Sequence, residues 1–150
     1  MLLERLGLAY VPHIYEHDPS TVSYGAEAAQ LLGVAPDRVF KTLLAVVDGA
    51  LTAAIVPVST SLDLKALART CGAKRAAMAD PARAERSSGY VVGGISPIGQ
   101  RNRLPTVLEQ RAWDFPTVLV SGGRRCFDIE LAPDAIVAAT GAMAATIVRR

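Results

Sequence analysis

The densest group of residues able to do chemistry lies in Gly89–Thr106, which reads G-Y-V-V-G-G-I-S-P-I-G-Q-R-N-R-L-P-T. The Gly93-Gly94 pair follows a β-branched run and leads into Ser96-Pro97, Gly99, a basic cluster and Pro105, with no helical period. This pattern predicts a shaped loop. Paired glycines let bare backbone N–H groups approach a ligand, because no Cβ stands in the way. A carbonyl or a phosphate is the natural guest. Gly94 to Gly99 has the spacing of a phosphate-binding loop. However, Gln100-Arg101 replaces the required Lys-Ser/Thr, Pro97 removes a donor, and no helix opens afterwards. The phosphate-loop reading fails on all three counts.

A protein nucleophile is no easier to find. Ser96 and Ser121 sit beside glycines but neither lies in G-x-S-x-G, and His13 and His17 stand together far upstream with no evident base geometry. Cys71 and Cys126 lack an activating neighbour in sequence. Alternation over Tyr10–His17 puts His13, Tyr15 and His17 on one strand face, but Pro12 and Pro19 bracket the segment and no third ligand is near. Neither a metal nor a cofactor is expected.

What remains is a site without a nucleophile: the N–H groups of Gly93 and Gly94, the hydroxyls of Thr42, Ser96 and Ser121, the amine of Lys41 and the carboxylate of Asp128. Such a set can hold a reactive carbonyl, stabilise its oxyanion and orient an attacker that the substrate or solvent provides. One oxyanion donor can be worth about 3 kcal/mol. Activated esters are the natural substrates. Each residue also has a plain reading, with Thr42 and Ser121 as strand-end hydroxyls, Asp128 facing solvent and Lys41 snorkelling from a sheet edge.

The elements that would position these groups follow from local signals. Leu2–Leu6 suits a short helix, and Ser23 is a candidate N-cap for a helix to Leu32, closed by Gly33. After a turn at Pro36–Arg38, Phe40–Val47 reads as a buried strand. Asp48-Gly49 signals a hairpin, and Leu51–Val56 returns as the partner strand. Asp63 caps a helix from Leu64 to Cys71, stapled by Leu62 and Leu67 and closed by Gly72. Ala73–Met78 is a short strand, and Asp80-Pro81 opens a helix to about Ser87. Leu104–Glu109, Thr117–Ser121 and Cys126–Leu131 read as strands, with Gly122-Gly123 turning the chain between the last two. Pro133 to Gly141 is a helix, and Ala144–Val148 a terminal strand. This order predicts an α/β (α+β) domain with a mixed, largely antiparallel sheet and flanking helices.

The bulk properties exclude several classes. A chain of 150 residues that is 51% hydrophobic can bury roughly 70% of its unfolded surface as one domain, 1–150, without disulfides. The two cysteines read as buried free thiols of a reducing compartment. Met1–Ala9 lacks the layout of a signal peptide, and no apolar run approaches a membrane span, so a soluble cytoplasmic protein is expected. A net charge of +2 is too mild for a general nucleic-acid binder. Arg38 with Lys41, Lys74 with Arg75, Arg101 with Arg103 and Arg124 with Arg125 nonetheless cluster enough for local phosphate contacts.

Taken together, Phe40-Lys41-Thr42-Leu43-Leu44, Val56-Pro57-Val58, Leu62–Leu67, Met78-Ala79-Asp80-Pro81, Gly89–Gln100 and Arg103–Thr106 resemble the YbaK-type Cys-tRNA(Pro) deacylases. These belong to the superfamily of the prolyl-tRNA synthetase editing domain, and the similarity runs from about Tyr15 to Leu131. The resemblance implies a partly closed mixed sheet and a trans-editing hydrolase that clears cysteine misattached to proline tRNA. Such editing is needed because a synthetase pocket rejects a near-isostere by only about a hundredfold. It further implies that the substrate's own thiol attacks the ester. Lys41 would contact the terminal adenosine or phosphate, and Gly93 and Gly94 would face the aminoacyl carbonyl. Thr42, Ser121 and Asp128 would fill further pocket positions, with Ser96-Pro97 shaping the loop and Tyr15 and Tyr24 as aromatic lining. The implied partners are the tRNA(Pro) acceptor end and prolyl-tRNA synthetase. A deacylase for another small aminoacyl-tRNA, such as alanyl, and a non-catalytic RNA- or synthetase-binding module remain the alternatives.

Overall fold

The computed structural model describes residues 2–16 and 24–149, without the side chains of 24–26. Helix α1 (Leu2–Arg5) and strand β1 (Val11–Ile14) lead to α2 (Tyr24–Leu32) and a 3-10 turn at Pro36–Arg38. Next come β2 (Phe40–Val47), β3 (Ala50–Pro57), β4 (Ser61–Leu62), α3 (Leu64–Thr70), β5 (Ala76–Met78) and α4 (Pro81–Ser88). The glycine-rich segment then leads to β6 (Thr106–Glu109), a 3-10 turn at Gln110–Asp114, β7 (Val118–Arg124), β8 (Phe127–Leu131), α5 (Pro133–Thr140), β9 (Met143–Ala145) and β10 (Val148–Arg149).

Local chemistry accounts for most of these boundaries. Asp48 and Gly49 both have positive φ, 47° and 85°, as a type I′ turn requires, and β2 and β3 pair from Phe40↔Pro57 to Val47↔Ala50. The Asp63 carboxylate accepts the Ala66 N–H at 3.1 Å to cap α3, and Leu62 and Leu67 are buried in one cluster as the staple predicts. Asp80 caps α4 through the Arg83 N–H, with Pro81 in its first turn and Gly89 left-handed at its end.

Three sheets result. The largest runs β5-β2-β3-β6-β9 and is mixed, with β3–β6 and β6–β9 parallel. The second, β1-β8-β7, is antiparallel throughout, and β10 pairs with β4. Between the two larger sheets lies a core of Phe40, Ile55, Leu108, Val118, Val120, Ile129 and Leu131, closed by Leu3 and Ile136. The other face of the five-stranded sheet buries Ala45, Val47, Ala54, Val56 and Val107 against Leu67 of α3 and Ile147. With both faces covered, β2 and β3 read as continuous apolar runs instead of alternating ones.

Three expectations are corrected. Gly122-Gly123 does not turn the chain; it lies inside β7, where the β7–β8 register shifts between Ser121 and Arg124, and the reversal occurs at Arg125-Cys126. A Cβ on Gly122 would stand 2.5 Å from the Phe127 ring, and one on Gly123 2.9 Å from the Tyr90 ring. These glycines therefore admit aromatic rings onto a bulged strand. The terminal strand divides into β9 and β10, which join different sheets. Cys126 occupies the reversal with φ 66° and is only partly buried, and Cys71 is likewise partly buried. Both thiols are free, but neither is the fully buried core residue that was expected. The proposed N-cap Ser23, and His17, lie outside the described residues.

Candidate active site

The two larger sheets diverge along β2. At its C-terminal half β2 pairs with β5, Ala45↔Met78 to Val47↔Ala76. Just before its N-terminus, Val39 forms a parallel bridge with Leu119 of β7. Between these points the edge of β2 has no neighbouring strand among the described residues, and a cavity of about 320 Å³ occupies the gap. Every residue from Val39 to Leu44 lines it. Successive side chains of a strand point to opposite faces, so a cavity that touches both parities must run along the strand's edge. The backbone agrees. Leu44 C=O accepts from Ala79 N–H, and Asp48 N–H donates to Arg75 C=O, so even-numbered amides point toward β5. By the same alternation Thr42 turns its N–H and C=O toward the open edge.

The remaining walls come from distant segments. Tyr15 enters after β1, Met78, Ala79, Pro81 and Ala84 from β5 and α4, Val92, Gly93 and Ile95 from the glycine-rich loop, and Ser121 and Asp128 from β7 and β8. Of the residues expected from sequence, Tyr15, Lys41, Thr42, Gly93, Ser121 and Asp128 are thereby brought to one cavity. Lys41 is half-buried, and burial pulls its ammonium below the ordinary lysine pKa. The Thr42 hydroxyl is buried with no hydrogen-bond partner among the described residues. Ser121 Oγ accepts the Gly123 N–H at 3.2 Å, using the bulge to fix its rotamer. Asp128 is only 7% exposed, which overturns the solvent-facing reading. Burial pushes its carboxyl up to about 6, opposed by a hydrogen bond from Tyr15 and by His13. The Tyr15 hydroxyl donates to Asp128 Oδ1 at a long 3.5 Å, and burial followed by the Asp128 charge raises its own pKa.

Other expected residues do not reach the cavity. The Gly94 N–H donates to Val91 C=O at 2.9 Å, so it is spent inside the loop. Gly94 is needed for another reason: a Cβ there would lie 2.7 Å from the Arg124 carbonyl carbon, because the loop packs directly on the β7–β8 reversal. Gly93, with φ 92°, does line the cavity, and its N–H has no partner among the described residues. Ser96 is buried and its Oγ accepts the Ile98 N–H, while its carbonyl accepts from Gln100 Nε2. Pro97 faces a separate, smaller cavity beside Leu2 and α5. Ser96 and Pro97 thus shape the loop without touching the space it encloses. Tyr24 begins α2, and its side chain lies outside the described residues.

Sequence reasoning missed the anchors of the loop. The Tyr90 hydroxyl donates to Ile98 C=O at 2.6 Å, the Val92 N–H donates to Glu85 Oε2, and the Arg125 guanidinium donates twice to Val92 C=O. The arginine clusters also divide by task. Arg38 binds Glu130 Oε2 at 2.8 Å beside Thr117, and His13 Nε2 meets Glu130 Oε1 at 2.9 Å, which ties β1 and the turn before β2 to β8. Among the described residues no group of three His, Cys, Asp or Glu is placed to hold a metal, and no helix is long and apolar enough to cross a membrane.

Comparison with known proteins bears on this geometry. The profile of the aminoacyl-tRNA editing domain matches residues 18–139. A protein of Enterococcus faecalis, provisionally named Cys-tRNA(Pro)/Cys-tRNA(Cys) deacylase EbsC, is 38% identical over 135 residues, covering 89% of this chain and 82% of that protein. A proline–tRNA ligase of Moorella thermoacetica is 38% identical over 74 residues, covering 49% of this chain but only 13% of the ligase. A crystal structure provisionally described as a trans-editing enzyme for prolyl-tRNA synthetase superposes with TM-score 0.84 at 26% identity, covering 99% of this chain and 93% of that one. A hypothetical protein of known structure gives 0.87 at 28% identity, with 98% and 96% covered. A profile match over most of the sequence and a relative aligned over most of both lengths lead to one conclusion: the chain belongs to the aminoacyl-tRNA editing domain family, as an editing deacylase, a hydrolase whose substrate is an aminoacyl-tRNA.

Proposed function

We propose that this chain, acting as one editing domain, hydrolyses cysteine from mischarged Cys-tRNA(Pro), with the substrate's own thiol as nucleophile. The observation that carries the reading is the make-up of the cavity. Among the described residues it presents Lys41, Thr42, Gly93, Ser121 and Asp128, and no histidine or cysteine. A site with hydroxyls but no base-paired nucleophile suits a substrate that brings its own. The cysteinyl sulfur attacks the ester carbonyl carbon and gives up its proton. The ester C–O bond breaks, the tRNA ribose leaves as an alcohol on taking a proton, and the resulting thiolactone is opened by water to free cysteine.

In this reading the Gly93 N–H, the open-edge N–H of Thr42 and the Thr42 hydroxyl are the donors for the carbonyl oxygen as its charge develops. Donors in a partly desolvated gap are worth more there than in water. Lys41 holds the phosphate or ribose of the terminal adenosine as a point charge. Met78, Ala84 and Leu44 limit the size of the aminoacyl group. The mild net charge of +2 implies a weak intrinsic grip on tRNA, so a prolyl-tRNA synthetase supplies selectivity for the tRNA body.

The purified protein is tested against Cys-tRNA(Pro), Cys-tRNA(Cys), Ala-tRNA(Pro) and Pro-tRNA(Pro). Faster loss of cysteinyl ester than of alanyl or prolyl ester is expected, and S-methylation of the substrate should abolish it. Loss of the cysteinyl ester at only the uncatalysed rate overturns the reading; full activity on the S-methylated ester overturns the thiol mechanism alone.

A further inference from the structure

Asp128 is the sole carboxylate, and Lys41 the sole ammonium, among the described residues lining the cavity. They stand on different sheets, β8 and β2, and no ion pair joins them. A carboxylate can accept about four hydrogen bonds, yet the partner Asp128 has is the Tyr15 hydroxyl at 3.5 Å. A carboxylate this buried and this poorly satisfied is costly unless something else completes it. Nothing else among the described residues does so. The neighbouring glutamate on the same strand, Glu130, shows the contrast: it is more exposed than Asp128 and yet bound by His13, Arg38 and Thr117.

An aminoacyl ester carries one group that would complete Asp128, its free α-ammonium, which is not needed for the attack on the carbonyl. We propose that Asp128, with Tyr15 beside it, is the subsite for the free α-ammonium of the substrate, so that the ligand lies between a cation-binding end on β8 and an anion-binding end at Lys41. The inference rests on the editing reading and extends it to the chemical class admitted. Esters with a free amine are bound, while N-acylated and peptidyl esters are refused, because an amide nitrogen brings no charge to offset the buried carboxylate. The same contact fixes the direction of entry, since reversal would place like charges together at both ends.

The titratable groups that act on Asp128 are Tyr15 after β1, His13 on β1 and Cys126 at the β7–β8 reversal, with Glu27 of α2 close to Tyr15 and Cys126 and with Lys41 across the cavity. Of these, only Tyr15 hydrogen-bonds Asp128.

The test uses two non-hydrolysable adenosines, each with an amide in place of the ester at the ribose 3′ position. One carries cysteinyl; the other carries 3-mercaptopropionyl, identical except for the missing amine. Calorimetry or NMR titration of the wild-type protein at pH 7 should show the cysteinyl compound binding about tenfold tighter or more. Asp128→Asn should remove that preference while leaving the affinity for the desamino compound within about twofold, because the amide side chain still fills the site without its charge. The preference should also fade as pH falls through about 6, where Asp128 takes up its proton. Equal binding of both compounds to the wild type overturns the ammonium subsite and leaves the editing reading standing. Failure of both compounds to bind overturns the editing reading, and the subsite with it.

Discussion

Asp128 places a charge where folding alone would not put one. Its carboxyl has an ordinary value of 3.8 and is pushed to about 6 by burial, so the folded chain holds the proton more tightly than the unfolded chain. Stability therefore declines as pH rises from about 4 to about 6 and levels off above, the reverse of the usual behaviour of a paired carboxylate. Asp128→Asn removes the penalty. The variant should be more stable at pH 7, by up to about 3 kcal/mol on the size of the shift, and should lose most of its deacylase activity. Chemical denaturation at pH 4 and pH 7 checks the first part: equal stability of the two proteins at pH 7 would contradict the buried-charge account. Such opposition between stability and activity is expected where a site is held strained for a ligand.

At the scale of elements, what could be read from sequence was what is encoded locally. The β2–β3 hairpin, the Asp63 and Asp80 caps and the closing glycines of α4 and α5 each depend on a few adjacent residues, and all are where their signals put them. The glycine pairs were not legible in the same way. Whether Gly122-Gly123 makes a turn or a bulge is decided by the rings of Phe127 and Tyr90, which no local pattern announces. Alternation set Asp128 opposite Ile129, but which face of β8 would be covered depended on Tyr15 arriving from another strand. Gly94 likewise looked like a carbonyl donor and is a packing residue. Gly94→Ala should push the loop off the Arg124 backbone, since a Cβ 2.7 Å from a backbone carbon cannot be accommodated by a side-chain shift. A stability loss of about 1–3 kcal/mol, together with a raised KM, is the expected outcome. An unchanged Tm would show that the loop can move freely.

Across the whole molecule, the C-terminal segment laces the sheets together. Glu109, fully buried at the end of β6, accepts the Ile147 N–H at 2.9 Å and the Arg111 N–H at 2.8 Å. It thereby holds the chain between β9, in the five-stranded sheet, and β10, which pairs with β4. Glu109→Ala leaves the buried Ile147 amide and the part-buried Arg111 amide unsatisfied and should cost about 2 kcal/mol or more, at residues that do not line the cavity. Activity per folded molecule should survive. A Tm within a degree of wild type would mean that the clamp is dispensable.

The gap along β2 also has a kinetic meaning. Its floor, the β2–β3 hairpin, is closed by a two-residue turn and can form early, whereas its far wall requires residues 39 and 119 to meet. On refolding from denaturant, β-sheet signal should therefore appear before the cavity exists, and a dye that reports on the cavity should lag behind circular dichroism. Coincident traces would mean that the distant wall docks as fast as the hairpin. In the interval between the two signals the open edge from Phe40 to Leu43 is an unguarded template for pairing with another chain. The architecture that leaves a cavity along β2 thus also makes a newly synthesised chain most prone to aggregate before β7 arrives.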